Sequence, residues 1–228
     1  MDKVYYFTGA GHSRATAEYI AQRLGRTAED ITVGKREADA DAVTVAVFPV
    51  YCESIPETVV QFLKTVKTGV AAIVAVYGGI RPGNALFEAQ GILTRPLCAA
   101  IALPTGHSFL KEENGFDREA LLPFIEKIKE PAPVAVPPMR RSFYADVLPE
   151  WRSRVGVKIM KSGECSGCGV CEENCPVGTM KNGAPGDGCI RCLRCVTECP
   201  EGALDFECRP FLKRFLERKK KSETFLFI

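Results

Sequence analysis

Long apolar runs are missing from this chain. None approaches the ~20 residues that a membrane-spanning helix requires, so no span is expected. Net charge is nearly absent as well. Thirty Lys and Arg against 28 Asp and Glu leave +2, which gives no general reason to expect nucleic acid as a partner. No charged and apolar leader can be drawn, because Met1-Asp2-Lys3 runs straight into a strand-like segment. There is no GxGxxG with a downstream acidic residue, so a nicotinamide site is not expected. These absences together lead us to expect a cytoplasmic chain with reduced thiols.

Cysteine is what the sequence has in surplus. Of eleven, eight sit between Cys165 and Cys199. A disulfide framework would need an oxidising compartment, and an odd count suits it poorly. The eight form a repeat. Cys165-x2-Cys168-x2-Cys171-x3-Cys175-Pro176 is followed by Cys189-x2-Cys192-x2-Cys195-x3-Cys199-Pro200. Zinc usually takes two CxxC pairs, without the third step or the CxxxCP ending. Soft thiolates in this run suit iron–sulfur cubanes. Three cysteines spaced by two wrap one corner of a cubane, and the fourth binds the other cluster. The expected ligand sets are therefore Cys165, Cys168, Cys171 and Cys199 for one [4Fe–4S] cluster, and Cys189, Cys192, Cys195 and Cys175 for the other. Gly167, Gly169 and Gly188 are expected to let backbone N–H groups reach the sulfurs. Only thirteen residues separate Cys175 from Cys189, so a bare turn is expected between the runs. Cys98 reads as inert core, Cys52 as a small filler, and Cys208 as packing against the module.

Residues 1–130 read differently. Apolar periodicity predicts strands at 4–7, 31–33, 42–48, 70–77 and 98–103, with helices at 13–24, 56–66, 84–93 and 118–129. Continuous β-branched runs mean burial on both faces, hence an α/β fold with a doubly wound five-stranded parallel sheet. Residues 131–158 open with four prolines in eight, an extended spacer, and continue as a basic, aromatic connecting segment. Residues 159–207 form the small α+β cluster domain. Residues 208–228 are a basic tail with an apolar end that folds back on the module or docks a partner. The run at 219–221 reads as a solvated face.

After the first strand, Thr8-Gly9-Ala10-Gly11-His12-Ser13 leads directly into a helix. Loop N–H groups and the helix dipole make such a junction an anion site. In a doubly wound sheet, ligands lie outside the carboxyl ends of the strands. The loops there carry Pro49-Val50-Tyr51-Cys52 and Tyr77-Gly78-Gly79, offering aromatic faces beside compact backbone. His107 falls on the same rim, and a solvated loop histidine is the expectation for it.

On these motifs the chain resembles the flavodoxin-like proteins fused to a C-terminal two-cluster ferredoxin. The resemblance covers residues 1–110 and the cluster module. It implies FMN, with phosphate held by Thr8, Gly11, His12 and Ser13, and with the ring system between residues 49–52 and 77–79. Ala10 departs from the family's phosphate loop by removing a hydroxyl donor, and His12 stands where Asn is usual. The resemblance further implies electron transfer with a redox partner protein, and with a small-molecule substrate if the protein is a reductase. Three readings follow: a flavin-centred reductase, an electron relay between proteins, and a ferredoxin whose flavodoxin-like domain is a vacant docking or sensing module.

Overall fold

The computed structural model describes residues 2–34, 37–147 and 151–228, without the side chains of Tyr144 and Trp151. In the first unit, strands and helices alternate: β1 (Lys3–Tyr6), α1 (His12–Leu24), β2 (Thr27–Asp30), β3 (Val43–Pro49), α2 (Glu57–Leu63), β4 (Val70–Tyr77), α3 (Ala85–Ile92), β5 (Leu97–Pro104) and α4 (Leu122–Lys129). The parallel strands lie in the order β2-β1-β3-β4-β5. This is a mixed α/β architecture with a mainly parallel central sheet.

Side-chain alternation explains why these strands read as continuous apolar runs. Tyr5 and Phe7 point to one face, joining Phe48, Ile73 and Leu86 under α2 and α3. Val4 and Tyr6 point to the other, joining Val45, Val74, Ile101 and Phe124 under α1 and α4. Each strand thus feeds two cores, and neither face tolerates a polar stripe. α1 ends where Gly25 takes φ 65, its N–H closing onto the last turn, a left-handed stop that glycine adopts without penalty.

The sheet differs from the five-stranded expectation. β10 (Phe225–Phe227) adds a sixth strand, antiparallel to β5, pairing Leu226 with Ile101. The apolar tail therefore covers a sheet edge rather than docking on the cysteine module. Edge backbone left unpaired would invite association with another chain. The second strand also moves. It is Thr27–Asp30, not 31–33, because an edge strand half open to water can be polar. The proline segment is no free spacer. The Val134 N–H donates to the Leu97 carbonyl, and Val136 is buried with its backbone bonded both ways to the Gln90 amide.

Short helices α5 (Phe143–Val147) and α6 (Trp151–Gly156) lead to the second unit. Leu148 to Glu150, in the connecting segment, lie outside the described residues. The second unit contains β6 (Val157–Lys161), α7 (Val170–Glu173), β7 (Met180–Lys181), β8 (Ala184–Pro185), α8 (Arg194–Thr197), β9 (Leu204–Cys208) and α9 (Pro210–Lys219). β6 and β9 pair antiparallel, and β7 with β8 forms a two-residue hairpin where a bare turn was expected. Among the described residues no helix is long and apolar enough to cross a membrane.

Candidate functional site

The eight cysteines of the repeat line two separate cavities. Cys165, Cys168, Cys171 and Cys199 surround the first, of about 140 Å³. Cys175, Cys189, Cys192 and Cys195 surround the second, a smaller and wholly apolar space beside Ile159 and Met180. Each cavity takes three cysteines from one run and one from the other. The chain doubles back to do this: α7 and α8 each carry the third cysteine of a run, and the fourth follows on the next turn.

Backbone donors reach several of the sulfurs. The Thr179 N–H points at Cys175 Sγ (3.4 Å), Arg191 N–H at Cys189 Sγ (3.4 Å) and Ala203 N–H at Cys199 Sγ (3.3 Å). Gly167 and Gly169 adopt φ 77 and 80, turning the chain between cysteines. Burial resists ionisation of Cys175, but the N–H groups of Thr179, Val177 and Met180 overcome it and lower its pKa. Burial pushes Cys192 up to about 11 and Cys195 up to about 12, with the neighbouring sulfurs adding to both. Thiols so crowded ionise together only around a positive centre. Among the described residues no group of three or more His, Cys, Asp or Glu converges on the position of one metal ion. A cubane asks for a wider set, since each of its irons takes a single cysteine. The donor set therefore fits such a cluster in type, number and N–H···S support.

A third cavity, about 150 Å³ and half open, lies at the carboxyl rim of the sheet. It is framed by residues 49–52 after β3, Tyr77 and Gly78 after β4, and residues 105–109 after β5. Residues 190–192 of the cysteine module close it from the other side. The rim thus meets the second cysteine cavity directly, since Cys192 lines both.

The loop between β1 and α1 is tightly covered. Thr8 is buried; its N–H donates to Thr32 Oγ1 and its own Oγ1 accepts from the Gly11 N–H. Gly11 therefore spends its amide inside the loop. A Cβ on Gly9 would stand 2.1 Å from the Cys192 carbonyl oxygen and 2.8 Å from the Tyr51 hydroxyl. Only glycine permits that approach. Ala10 packs against the core of the cysteine module. His12 and Ser13 are buried in the first turn of α1. Tyr51 and Ser54 exchange backbone hydrogen bonds across Cys52 and Glu53, which take φ 52 and 64. Two consecutive positive φ values make this a tight primed turn. Cys98 is fully buried and Cys208 packs against the module.

Both histidines of the chain line the rim cavity. Burial lowers the pKa of His12, opposed by Glu112. Burial lowers His107 as well, to about 4. His107 is thus no solvated loop residue. Its Nδ1 accepts from the Phe109 N–H (3.2 Å), leaving the proton on Nε2. Glu112 accepts from the His107 N–H and pairs with Lys220. The basic tail is therefore engaged: Lys221 and Ser222 N–H groups both donate to the Gly79 carbonyl, and Tyr77 donates its hydroxyl to the Glu223 carbonyl.

Ion pairs fix the two units together across this rim. Arg194, itself buried, donates to Asp30 (2.8 Å) and to the Thr8 carbonyl (3.3 Å), and Arg14 pairs with Glu198 (2.7 Å). Motif reading missed Arg191 and Arg194. Both stand within the second cysteine run, where the only signal was positive charge between ligand positions.

The lining suits a flavin in kind, with Tyr51 and Tyr77 as aromatic walls. A space of about 150 Å³ encloses about one six-membered ring, below the ~300–1,000 Å³ of most cofactor pockets. A three-ring flavin would extend through the open side or displace residues 190–192. Compared with known proteins, the chain matches no family model, no curated protein and no solved structure.

Proposed function

We propose that this protein is an electron-transfer protein carrying two [4Fe–4S] clusters, with FMN at the rim of a flavodoxin-like sheet. The observation that carries the reading is the pairing of cysteines from both runs around each of two cavities. The strand order β2-β1-β3-β4-β5 supports the flavin half, since it reverses between β1 and β3 and opens a crevice there. When bound, the clusters would supply one-electron steps and FMN the exchange between one- and two-electron chemistry.

The chain's own residues set the order of the relay. Cys192 reaches the rim cavity, so the set of Cys175, Cys189, Cys192 and Cys195 is the proximal one. Cys165 and Cys168 are exposed, so the other set faces solvent and an external redox protein. Tyr51 and the Cys192 backbone pack against Gly9, bringing rim and module into direct contact there. His107 Nε2 is a neutral N–H on the cavity wall, placed to hold a proton for a substrate of a reductase.

A second reading has its own observation. The Cys192 carbonyl lies on Gly9, over the expected phosphate loop, which favours a vacant docking domain. The two are separated by anaerobic reconstitution with FMN, followed by light-driven reduction of the bound flavin and EPR of the clusters. Flavin that is retained and whose reduction raises the cluster signals supports the relay. Protein that holds two clusters and rejects FMN leaves only the docking reading.

A further inference from the structure

Two residues that line the rim cavity each carry a buried side-chain nitrogen with no hydrogen-bond partner. His12 is 8 % exposed and its Nδ1 is unpartnered. Arg191 Nη1 is buried and unpartnered too. Both residues line the cavity. Buried polar atoms in native proteins are nearly always paired, so an orphan asks for an explanation. Arg191 Nη1 is a donor, and His12 Nδ1 is one in the tautomer that carries its proton there; two such orphans on one cavity ask for the same explanation.

The surroundings point the same way. His12 is the first residue of a thirteen-residue helix, and the N-cap Gly11 offers no side-chain bond. The N–H groups of that first turn have no acceptor within the helix, and the dipole there favours negative charge. Arg191 comes from the other unit. Its backbone takes φ 56, a left-handed value unusual for arginine. Its Nε donates to the Val157 carbonyl (3.1 Å) and its N–H to Cys189 Sγ (3.4 Å). The guanidinium is thereby anchored at Nε while Nη1 stays free.

We propose that His12 and Arg191 are an anion-binding pair, assembled from the two units of the chain, that holds the phosphate or carboxylate of whatever occupies the rim cavity. Arg191 is the new element: a phosphate on the β1–α1 loop alone would leave it unexplained. The anion closes the gap between sheet and module, and the residue that grips it also donates its amide to Cys189. Cofactor loading and the second cysteine set are joined through one residue. The identity of the anion as the FMN phosphate rests on the proposed function; the pair itself does not.

The test uses the full chain, cluster-loaded, titrated with FMN, riboflavin and inorganic phosphate. Flavin binding is read by fluorescence quenching and phosphate binding by calorimetry or by competition. Wild type binds FMN at least tenfold tighter than riboflavin, and phosphate competes with FMN. Arg191→Gln and His12→Ala each weaken FMN and phosphate by about tenfold or more, with riboflavin unchanged and iron content intact. Arg191→Lys recovers part of the loss. Phosphate bound through these two residues without any flavin binding upholds the pair and removes FMN. Equal affinity for FMN and riboflavin, with phosphate binding still lost in the variants, likewise upholds the pair and removes FMN; variants that bind anions as wild type does, or no binding of either anion, overturn it.

Discussion

The parallel sheet buries Tyr5, Phe7, Phe48 and Phe124 completely, whereas the core of the cysteine module includes two of its own thiols, Cys189 and Cys195. The first region has a core on each face and needs nothing else. The second has a single small core and strands of two to five residues. A domain that buries so little apolar surface commonly draws its constraint from a metal centre. On the proposed function, the contrast separates the sources of order: side-chain burial for the sheet, ligand bonds for the module.

The largest break in this comparison comes from Cys199→Ala. Iron should fall from about eight to about four atoms per chain, with loss of the cluster held by Cys165, Cys168 and Cys171. EPR that reports loss of the other cluster would contradict the crossed ligand scheme. The converse experiment targets the sheet. Phe48→Ala should cost about 3–5 kcal/mol by leaving a cavity, seen as a lower first thermal transition, while iron content stays at wild-type level.

A smaller effect sharpens how the two regions communicate. Arg194→Met removes the hydrogen bonds to Asp30 and the Thr8 carbonyl. About 1–3 kcal/mol of interface should go with them, read as a widened gap between sheet and module transitions by hydrogen exchange. Unchanged coupling would assign the interface to Arg14 and Glu198 instead.

A further effect is one of pH. The folded His107 has its pKa depressed to about 4 by burial, facing Glu112, Lys220 and His12. Between about 6.5 and 4 the unfolded chain takes up a proton that the folded one refuses. His107 should therefore lower stability as pH falls through that window and do nothing above it. His107→Gln should flatten the slope in denaturant titrations; an unchanged slope would place its origin elsewhere.

The sequence made the sheet legible where strands are buried on both faces. The runs at 42–48, 70–77 and 98–103 leave no room for a polar face, and β3, β4 and β5 lie there within a residue or two. β2 escaped because Thr-Ala-Glu-Asp on an edge carries no apolar signal. β10 escaped because its partner, β5, lies more than a hundred residues earlier, and no local pattern records such pairing. The cysteine spacing singled out the eight cysteines that line the two cavities, since spacing within a run is local, whereas the crossing of each fourth cysteine came from the two-cluster pattern. Contacts between regions were invisible for the opposite reason: Arg14 and Glu198, or Gly9 and Cys192, are brought together only by the finished fold.

The central claim is best tested by purifying the chain anaerobically and measuring iron, acid-labile sulfide and zinc together with the visible spectrum. Two cubanes predict about eight iron and eight sulfide per chain, with broad charge-transfer absorption bleached by a reductant. Zinc in place of iron, or four irons or fewer after full reconstitution, would contradict the account.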